Sequence, residues 1–495
     1  MNFRIRNIFL VTILGVILVA CATSDATSQN ISVDQKPTGV PSGQKSIATA
    51  ELATKMPTSA PLVPTEVMIS AVEVTKDTQK EEYEVNPSAT NTQEEALPTV
   101  TEPTATAESK EVSFARPADY DRFSSVEEQA FRQVVEDEFG AATEKAGISV
   151  AVYDGDRLWT YAMGEADTGR NIDIDTPILV GSTSKTFVSA LVLNQIEKGY
   201  YGLADTVGVI LADHPDYASF DQTKVNSEVT ISEMLSMTSG LADYNENFKG
   251  KAGLFSAPDW KPADNINLLQ SEYSMPGKFE YVDTNLVLLG LIAEKYGEND
   301  LYSLYREEFL EPLGISALFL SAEAVPGNTA RPYDDISNYG GTFGNLIDAA
   351  PYSFEHYSKG QGRVRWACCG LISTPENMAR WGYELYSRKG KAVSEESRKV
   401  LYRSTEGGLV NFQGSKQNYG YYLAKRMFTL SDSSEISAYG HPGGGGGYSS
   451  LLRYSPELDL SISILANSTL SFQGECVDYA PRSCIASGIF DAYSQ

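Results

Sequence analysis

Ser182-Thr183-Ser184-Lys185 sets a hydroxyl and an amine three residues apart at the predicted start of a helix. An unprotonated Lys185 can take the proton of Ser182 and turn a poor nucleophile into an effective one. Ile178-Leu179-Val180-Gly181 reads as a short extended piece broken by glycine, and the run from Thr186 to Leu193 as a buried helix. Ser182 then falls near the N-terminus of that helix. Unpaired N–H groups and the helix dipole there favour the negative charge that forms when a carbonyl is attacked. The spacing alone also suits a plain helix N-cap followed by a solvated lysine. The chain repeats it at Ser42-Gly43-Gln44-Lys45, in a segment with no fold to support it, so the remaining sequence must decide.

Two further segments carry groups that could complete such a centre. In Pro276-Gly277-Lys278-Phe279-Glu280-Tyr281-Val282-Asp283-Thr284-Asn285 a turn and a short extended piece lead into a helix, with Tyr281 on irregular backbone before it. A phenol there can reach Ser182 and Lys185. Near a protonated lysine it ionises more easily and can relay a proton to the leaving group. In Tyr439-Gly440-His441-Pro442-Gly443-Gly444-Gly445-Gly446-Gly447-Tyr448, which leads into a strand, the glycines let a ligand approach the backbone. A free N–H in that run can join that of Ser182 around an oxyanion. Taken singly, the two segments also read as a core tyrosine and a flexible loop.

Taken together and in this order, Gly181-Ser182-Thr183-Ser184-Lys185-Thr186-Phe187, Thr238-Ser239-Gly240-Leu241, Tyr281-Val282-Asp283-Thr284-Asn285, Gly370-Leu371-Ile372-Ser373-Thr374 and His441-Pro442-Gly443 resemble the serine β-lactamase-like family. The relevant branch holds class C β-lactamases, D-Ala-D-Ala carboxypeptidases, D-aminopeptidases and related carboxylesterases. The resemblance runs over roughly residues 117 to 495. It implies Ser182 as acylated nucleophile, Lys185 as its activating partner and Tyr281 as proton relay. It further implies the N–H groups of Ser182 and Gly444 as the oxyanion pair, with Asp283, His441 and Gly443 beside the substrate.

Two positions depart from the family pattern. Asp283 stands where the family usually has Asn, and an ionised carboxylate only accepts hydrogen bonds, so an amide substrate loses a donor. Pro442 stands where a hydroxyl residue usually helps hold a substrate carboxylate, and it offers neither hydroxyl nor N–H. Both weaken the case for an efficient β-lactamase. The three histidines, His214, His356 and His441, are not spaced as a zinc pair, so neither a metal nor another cofactor is expected. No Gly-x-Ser-x-Gly elbow occurs, which removes the α/β-hydrolase reading.

The elements that must position these groups are legible from about residue 117 onward. An acidic helix over 126–139 precedes two strands, 148–153 and 157–161, that flank the hairpin signal Asp154-Gly155-Asp156. Helices are predicted over 231–237, 284–296, 301–309 and 377–387, the last with Thr374 as N-cap and Pro375 as first helical residue. Strands return over 419–426, 449–454 and 458–465, and a short apolar helix over 485–492 closes the chain. The expected fold class is α+β: an antiparallel sheet from both ends of the domain, a mostly helical region inserted between them, and a cleft at the seam.

Ahead of this domain the composition changes twice. Residues 1–21 carry Arg4 and Arg6, then an apolar run too short to span a bilayer comfortably, then Leu18-Val19-Ala20-Cys21, which resembles a bacterial lipoprotein cleavage box. Lipid on Cys21 would hold the protein at a membrane surface without a spanning helix. Residues 22–116 are rich in Thr, Ser, Pro, Ala and Glu and cannot bury enough apolar surface to fold, so they read as a disordered tether with a reach of roughly 50 Å. The net charge of −26, carried mostly by the domain, repels phosphate backbones and anionic headgroups and argues against nucleic acid as a partner. Of the remaining four cysteines, Cys476 and Cys484 suit a small disulfide loop in an exported protein. Adjacent Cys368 and Cys369 read as buried small residues.

The sequence therefore predicts a lipid-anchored serine hydrolase of the bacterial cell envelope, on an extracytoplasmic membrane face. It would act through a Ser182 acyl-enzyme on a small-molecule or peptide substrate, an ester or a D-amino-acid amide. A D-Ala-D-Ala carboxypeptidase, a β-lactamase and a non-catalytic cell-wall peptide-binding lipoprotein are the alternatives. The number of subunits is left open.

Overall fold

Strands from the two ends of the domain meet in one antiparallel sheet. The computed structural model describes residues 114, 120–143, 145–255, 257, 259–319, 326–335, 346–349, 362–412, 415–469 and 481–495. The predicted signal segment with Cys21, the tether apart from Phe114, His356 and Cys476 lie outside the described residues. Among the described residues no helix is long and apolar enough to cross a membrane.

Helix α1 (Ser125–Ala141) opens on a capping box: Ser124 accepts from the Glu127 N–H, and the Glu127 carboxylate reaches back to the Ser124 N–H. Strands β1 (Gly147–Tyr153) and β2 (Leu158–Asp167) follow as the predicted hairpin, and short β3 (Arg170–Asn171) extends it. The Asp154 carboxylate accepts from the N–H groups of Asp156 and Arg157, which closes the turn. Next come β4 (Ile178–Leu179) and helix α2 (Lys185–Glu197), then the helical region. Among the described residues, short strands within it are β5 (Ala317–Phe319), β6 (Tyr333–Asp335), β7 (Leu346–Asp348) and β8 (Leu371–Ser373). The C-terminal part supplies β9 (Leu409–Phe412), β10 (Ser415–Tyr419), β11 (Ala424–Thr429), β12 (Glu435–Gly440), β13 (Pro442–Gly445), β14 (Tyr448–Ser455) and β15 (Leu460–Ala466) before the helix Pro481–Ser494.

The main sheet runs β3-β2-β1-β15-β14-β12-β11-β10-β9, with β13 paired to β14. Ile148 of β1 lies opposite Ala466 of β15, so the two ends of the domain join at the centre of the sheet. All of β1 is buried because both faces of the sheet are covered. Ile148, Val150 and Val152 pack with Phe131, Val135 and Phe139 of α1 and with Ile485, Ile489 and Phe490 of the final helix. Ala151 and Tyr153 face the helical region instead. Continuous apolarity, not alternation, is what two-sided coverage demands.

On the inner side, every residue of α2 from Lys185 to Leu193 is buried. A helix with no polar stripe can only be central. Phe187 stacks on Trp381 with ring centroids 3.8 Å apart, and Trp381 Nε1 donates to Thr186 Oγ1 at 2.8 Å. Trp381 belongs to helix Pro375–Tyr386, which begins as predicted with Thr374 as N-cap and Pro375 at the first position.

Three segments differ from expectation. The single strand predicted over 419–426 is a hairpin, β10 and β11, because the chain turns between them with Tyr422 in the left-handed region at φ 52°. The predicted helix over 301–309 ends its regular turns at Tyr305 and passes into a wider turn, Arg306–Leu310. The segment Tyr439 to Tyr448, which taken singly also reads as a flexible loop, instead holds β13 from Pro442 to Gly445, in register with β14.

Candidate functional site

The site is built where α2, the small sheet β4-β8-β5 and β13 converge. Ser182 does not cap α2 directly; it stands in a 3₁₀ turn, Gly181–Ser184, that feeds the helix, with Gly181 at φ 54°. Several bonds fasten this turn. The Val180 N–H donates to Leu371 O at 2.9 Å, Ser450 Oγ donates to Val180 O at 2.7 Å, and Thr183 Oγ1 donates to His441 O at 3.2 Å. They join the turn to β14, to β8 with its Gly370-Leu371 motif, and to His441-Pro442-Gly443 at the start of β13.

β13 runs so close to this turn that a side chain would not fit. A Cβ on Gly443 would lie 2.2 Å from Val180 O and 3.0 Å from the Ser182 nitrogen, and one on Gly181 would lie 2.8 Å from the Gly444 nitrogen. Glycine is required for this approach. It sets the backbone at Gly444 beside that at Ser182, where two N–H groups could hold an oxyanion.

Lys185 is fully buried, with Nζ 3.1 Å from Ser182 Oγ, 3.1 Å from the Cys368 carbonyl and 2.8 Å from Asp283 Oδ1. Burial, the largest single influence, would lower its pKa, but the Asp283 carboxylate, joined by Cys369, Tyr281 and Cys368, raises it well above the usual lysine value. The sequence reading had an uncharged amine; Asp283 instead favours the ammonium. Asp283 itself is held below the ordinary carboxylate range: burial pushes it up, and Lys185 pulls it down further. Its Oδ2 accepts from Asn245 Nδ2 at 2.9 Å. Asp243, which accepts from the same amide group at 3.1 Å, is pushed up to about 6, first by burial and then by the Asp283 charge.

Tyr281 is brought to this cluster, its ring centroid 5.1 Å from Lys185 Nζ. Its buried hydroxyl makes no hydrogen bond with a described residue. The expectation that the lysine would ease its ionisation is reversed, because burial outweighs the lysine charge and the phenol is raised above its ordinary value. Backbone bonds from Gly277 to Thr238 O (2.8 Å) and from Glu280 to Met237 O (2.8 Å) hold the segment before Tyr281 against the Thr238-Ser239-Gly240-Leu241 motif.

His441 is placed differently from expectation. Its side chain is fully buried, with Nδ1 2.6 Å from Pro442 O and Nε2 2.9 Å from the Tyr419 hydroxyl. A carbonyl only accepts, so Nδ1 carries the proton and Nε2 accepts from Tyr419. Burial, helped by the Lys185 charge, lowers its pKa to about 3, so the ring is neutral and supports β13 from beneath. Of the cysteines, Cys484 is disulfide-bonded, and Cys368 and Cys369 are free.

Sequence reasoning missed the place of Cys368 and Cys369. Both are buried as expected, yet Cys369 Sγ lies 3.6 Å from Lys185 Nζ and 3.8 Å from Ser182 Oγ. The signal available was their position immediately before Gly370-Leu371, the motif whose backbone binds the turn holding Ser182. Asp283, Cys368 and Cys369 offer three ligand atoms within 4.8 Å of one another. The Lys185 ammonium already stands among them, and a metal ion there would have to displace it.

An antiparallel sheet flanked by helices, with a serine and a buried lysine at the seam, is the framework of the serine β-lactamase and transpeptidase fold. The chain belongs to the Beta-lactamase family, whose model matches residues 131–483. It is 23% identical over 247 residues to the monacolin J acid methylbutanoyltransferase of Aspergillus terreus, a match covering 47% of this chain and 58% of that protein. It is 25% identical over 334 residues to penicillin-binding protein 4 of Amycolatopsis lactamdurans, covering 65% and 80%. Among solved structures, the D-amino acid amidase of Ochrobactrum anthropi SV3 superposes with a TM-score of 0.58 at 18% identity, covering 75% of this chain and 99% of that one. The octameric penicillin-binding protein homologue of Pyrococcus abyssi gives 0.52 at 20%, covering 73% and 76%.

Proposed function

We propose that this chain is a membrane-tethered, extracytoplasmic serine hydrolase that forms an acyl-enzyme on Ser182 and releases it to water, with an ester or a D-amino-acid amide as substrate. The observation that carries this is the 3.1 Å approach of the buried Lys185 Nζ to Ser182 Oγ, with Asp283 fixing the amine. The resting centre holds a protonated lysine and a protonated phenol, so reaction starts from the form that has lost one proton. That proton leaves Lys185 or Tyr281, and the two forms belong to one coupled titration. The freed base then takes the Ser182 proton as Oγ attacks the carbonyl, and the N–H groups of Ser182 and Gly444 meet the oxyanion. Tyr281 hands a proton to the departing oxygen or nitrogen.

An ester ranks ahead of an amide. An alkoxide leaves with less help than an amine, Asp283 ionised has no donor to offer an amide, and Pro442 brings no hydroxyl to a substrate carboxylate. The similarity to a methylbutanoyltransferase fits the same intermediate, with an acceptor other than water. Cys21, if lipidated, supplies the anchor. The test is labelling of the full chain by an aryl ester and by a fluorescent penicillin, with Ser182→Ala as control and nitrocefin turnover alongside. Ester-derived label confined to Ser182 supports the reading; label that survives Ser182→Ala removes it, and rapid nitrocefin turnover would make the protein a β-lactamase.

A further inference from the structure

Cys368 and Cys369 are adjacent in sequence, at the end of helix Gly362–Cys369, with their sulfurs 2.8 Å apart and both side chains buried. The peptide group between them is part of the site, because its carbonyl, Cys368 O, accepts from Lys185 Nζ at 3.1 Å. Two residues further on, Leu371 O accepts from the Val180 N–H of the nucleophile turn, and the Leu371 N–H donates to Ser184 Oγ at 3.3 Å. The helix carrying the pair is kinked at Trp366, whose φ and ψ of 34° and −121° are far from helical. Covalent change at the two sulfurs would therefore act on both the lysine and the serine turn.

We propose that Cys368 and Cys369 are a reversible oxidation site that switches the Ser182 centre off when hydrogen peroxide joins the two thiols in a disulfide. The Cys369 thiolate attacks the peroxide, the O–O bond breaks, and a sulfenic acid and hydroxide result. The Cys368 sulfur then displaces hydroxide from that sulfenic acid, the S–S bond forms, and the two thiol protons end in two waters. Two electrons pass from the sulfur pair to the peroxide. Cys369 is suited to attack first: the contact with Cys368, helped by the Lys185 charge, lowers its pKa to about 7 against the effect of burial.

Closing this ring has a mechanical consequence. Neighbouring Cα atoms are about 3.8 Å apart across a trans peptide, and ordinary disulfides need roughly 4.4 Å or more. The intervening peptide must turn, so its carbonyl leaves Lys185 and the turn-gripping Leu371 shifts with it. The same strain makes such a bond easy to reduce, which renders the change reversible.

The inference rests on Ser182 being the reacting nucleophile, and the experiment separates the two claims. The full chain is treated with hydrogen peroxide, quenched with catalase and divided. One part is alkylated with iodoacetamide and cut with trypsin, so that the peptide Trp366–Arg380 reports both thiols. The other part is assayed for the rate of Ser182 labelling by a fluorophosphonate. Peroxide should protect both thiols from alkylation and slow Ser182 labelling at least tenfold, with both reversed by dithiothreitol. Cys368→Ala, treated identically, should show no reversible slowing, which also controls for reduction of the Cys484 disulfide. Thiols that stay alkylatable, sulfinic acid that dithiothreitol does not reverse, or a disulfide that leaves the labelling rate unchanged would each overturn the proposal. Reduced protein that never labels at Ser182 would overturn the hydrolase reading instead, while the peptide still decides whether the disulfide forms.

Discussion

At the scale of the residue, Asp283 governs the chemistry. A carboxylate 2.8 Å from Lys185 keeps the lysine charged, so the reactive form is populated only as pH rises, and ester hydrolysis should climb through the alkaline range. Asp283→Asn removes that carboxylate, leaves burial to lower the lysine pKa, and should move the rising limb toward acid, with kcat/KM at pH 7 up about tenfold for each unit moved. A pH–rate profile of the two proteins checks this, and an unmoved or alkaline-shifted limb would refute it. Lys185→Ala should lower kcat/KM by about 10²–10⁴-fold, the usual range for losing a positioned base. The serine, lysine and tyrosine were legible through the resemblance of five ordered motifs, because their types and spacing alone also suit a helix N-cap, a solvated lysine and a core tyrosine. Their protonation was not, because it depends on burial and on a carboxylate that approaches only in three dimensions.

At the scale of the element, β13 and the 3₁₀ turn act as one unit. Gly443→Ala would drive a methyl into Val180 O, whereas a Cβ at Gly444 meets only Tyr448 O at an ordinary 3.5 Å. Gly443→Ala should thus lower the melting temperature and cut Ser182 acylation by about 10²–10³-fold, the range for losing an oxyanion donor, while Gly444→Ala should melt close to the parent. Thermal melts and single-turnover acylation of both variants test the contrast. Element types with strong local signals were readable: the Asp154 hairpin, the Thr374-Pro375 helix start and the apolar α2. The glycine run was not, because strands are recognised by β-branched and aromatic residues, and β13 owes its pairing to β14 and its composition to the backbone it must pass. The turn that splits 419–426 escaped for a related reason: Tyr422 adopts a left-handed conformation that its residue type does not announce.

At the scale of the whole molecule, buried ionisable groups set the response to acid. His441 stays neutral in the folded state down to about pH 3, yet takes a proton near its ordinary value once unfolded. The unfolded state then binds more protons, so this residue's contribution to stability falls as pH drops from about 6.5 toward 3, by up to about 1.4 kcal/mol per unit. Asp243 and Glu294, raised to about 6 and about 7 chiefly by burial, act oppositely: their contribution improves as pH falls through those values. The His441→Gln variant isolates the first effect, since its melting temperature should fall less steeply than the parent's between pH 6.5 and 4. Equal slopes would count against a neutral buried imidazole. The antiparallel sheet built from both termini, the inserted helices and the seam between them were foreseeable from the order of patterns along the chain; the small sheet β4-β8-β5 was not, because strands of two or three residues leave no periodicity to read. That arrangement also imposes a schedule on biosynthesis. A ribosome releases Ser182 well before the β13 backbone that must lie against it and the β15 partner of β1. A nascent chain therefore carries its alcohol unarmed until these later strands have been delivered and have found their distant partners, a slow search for so non-local a pairing.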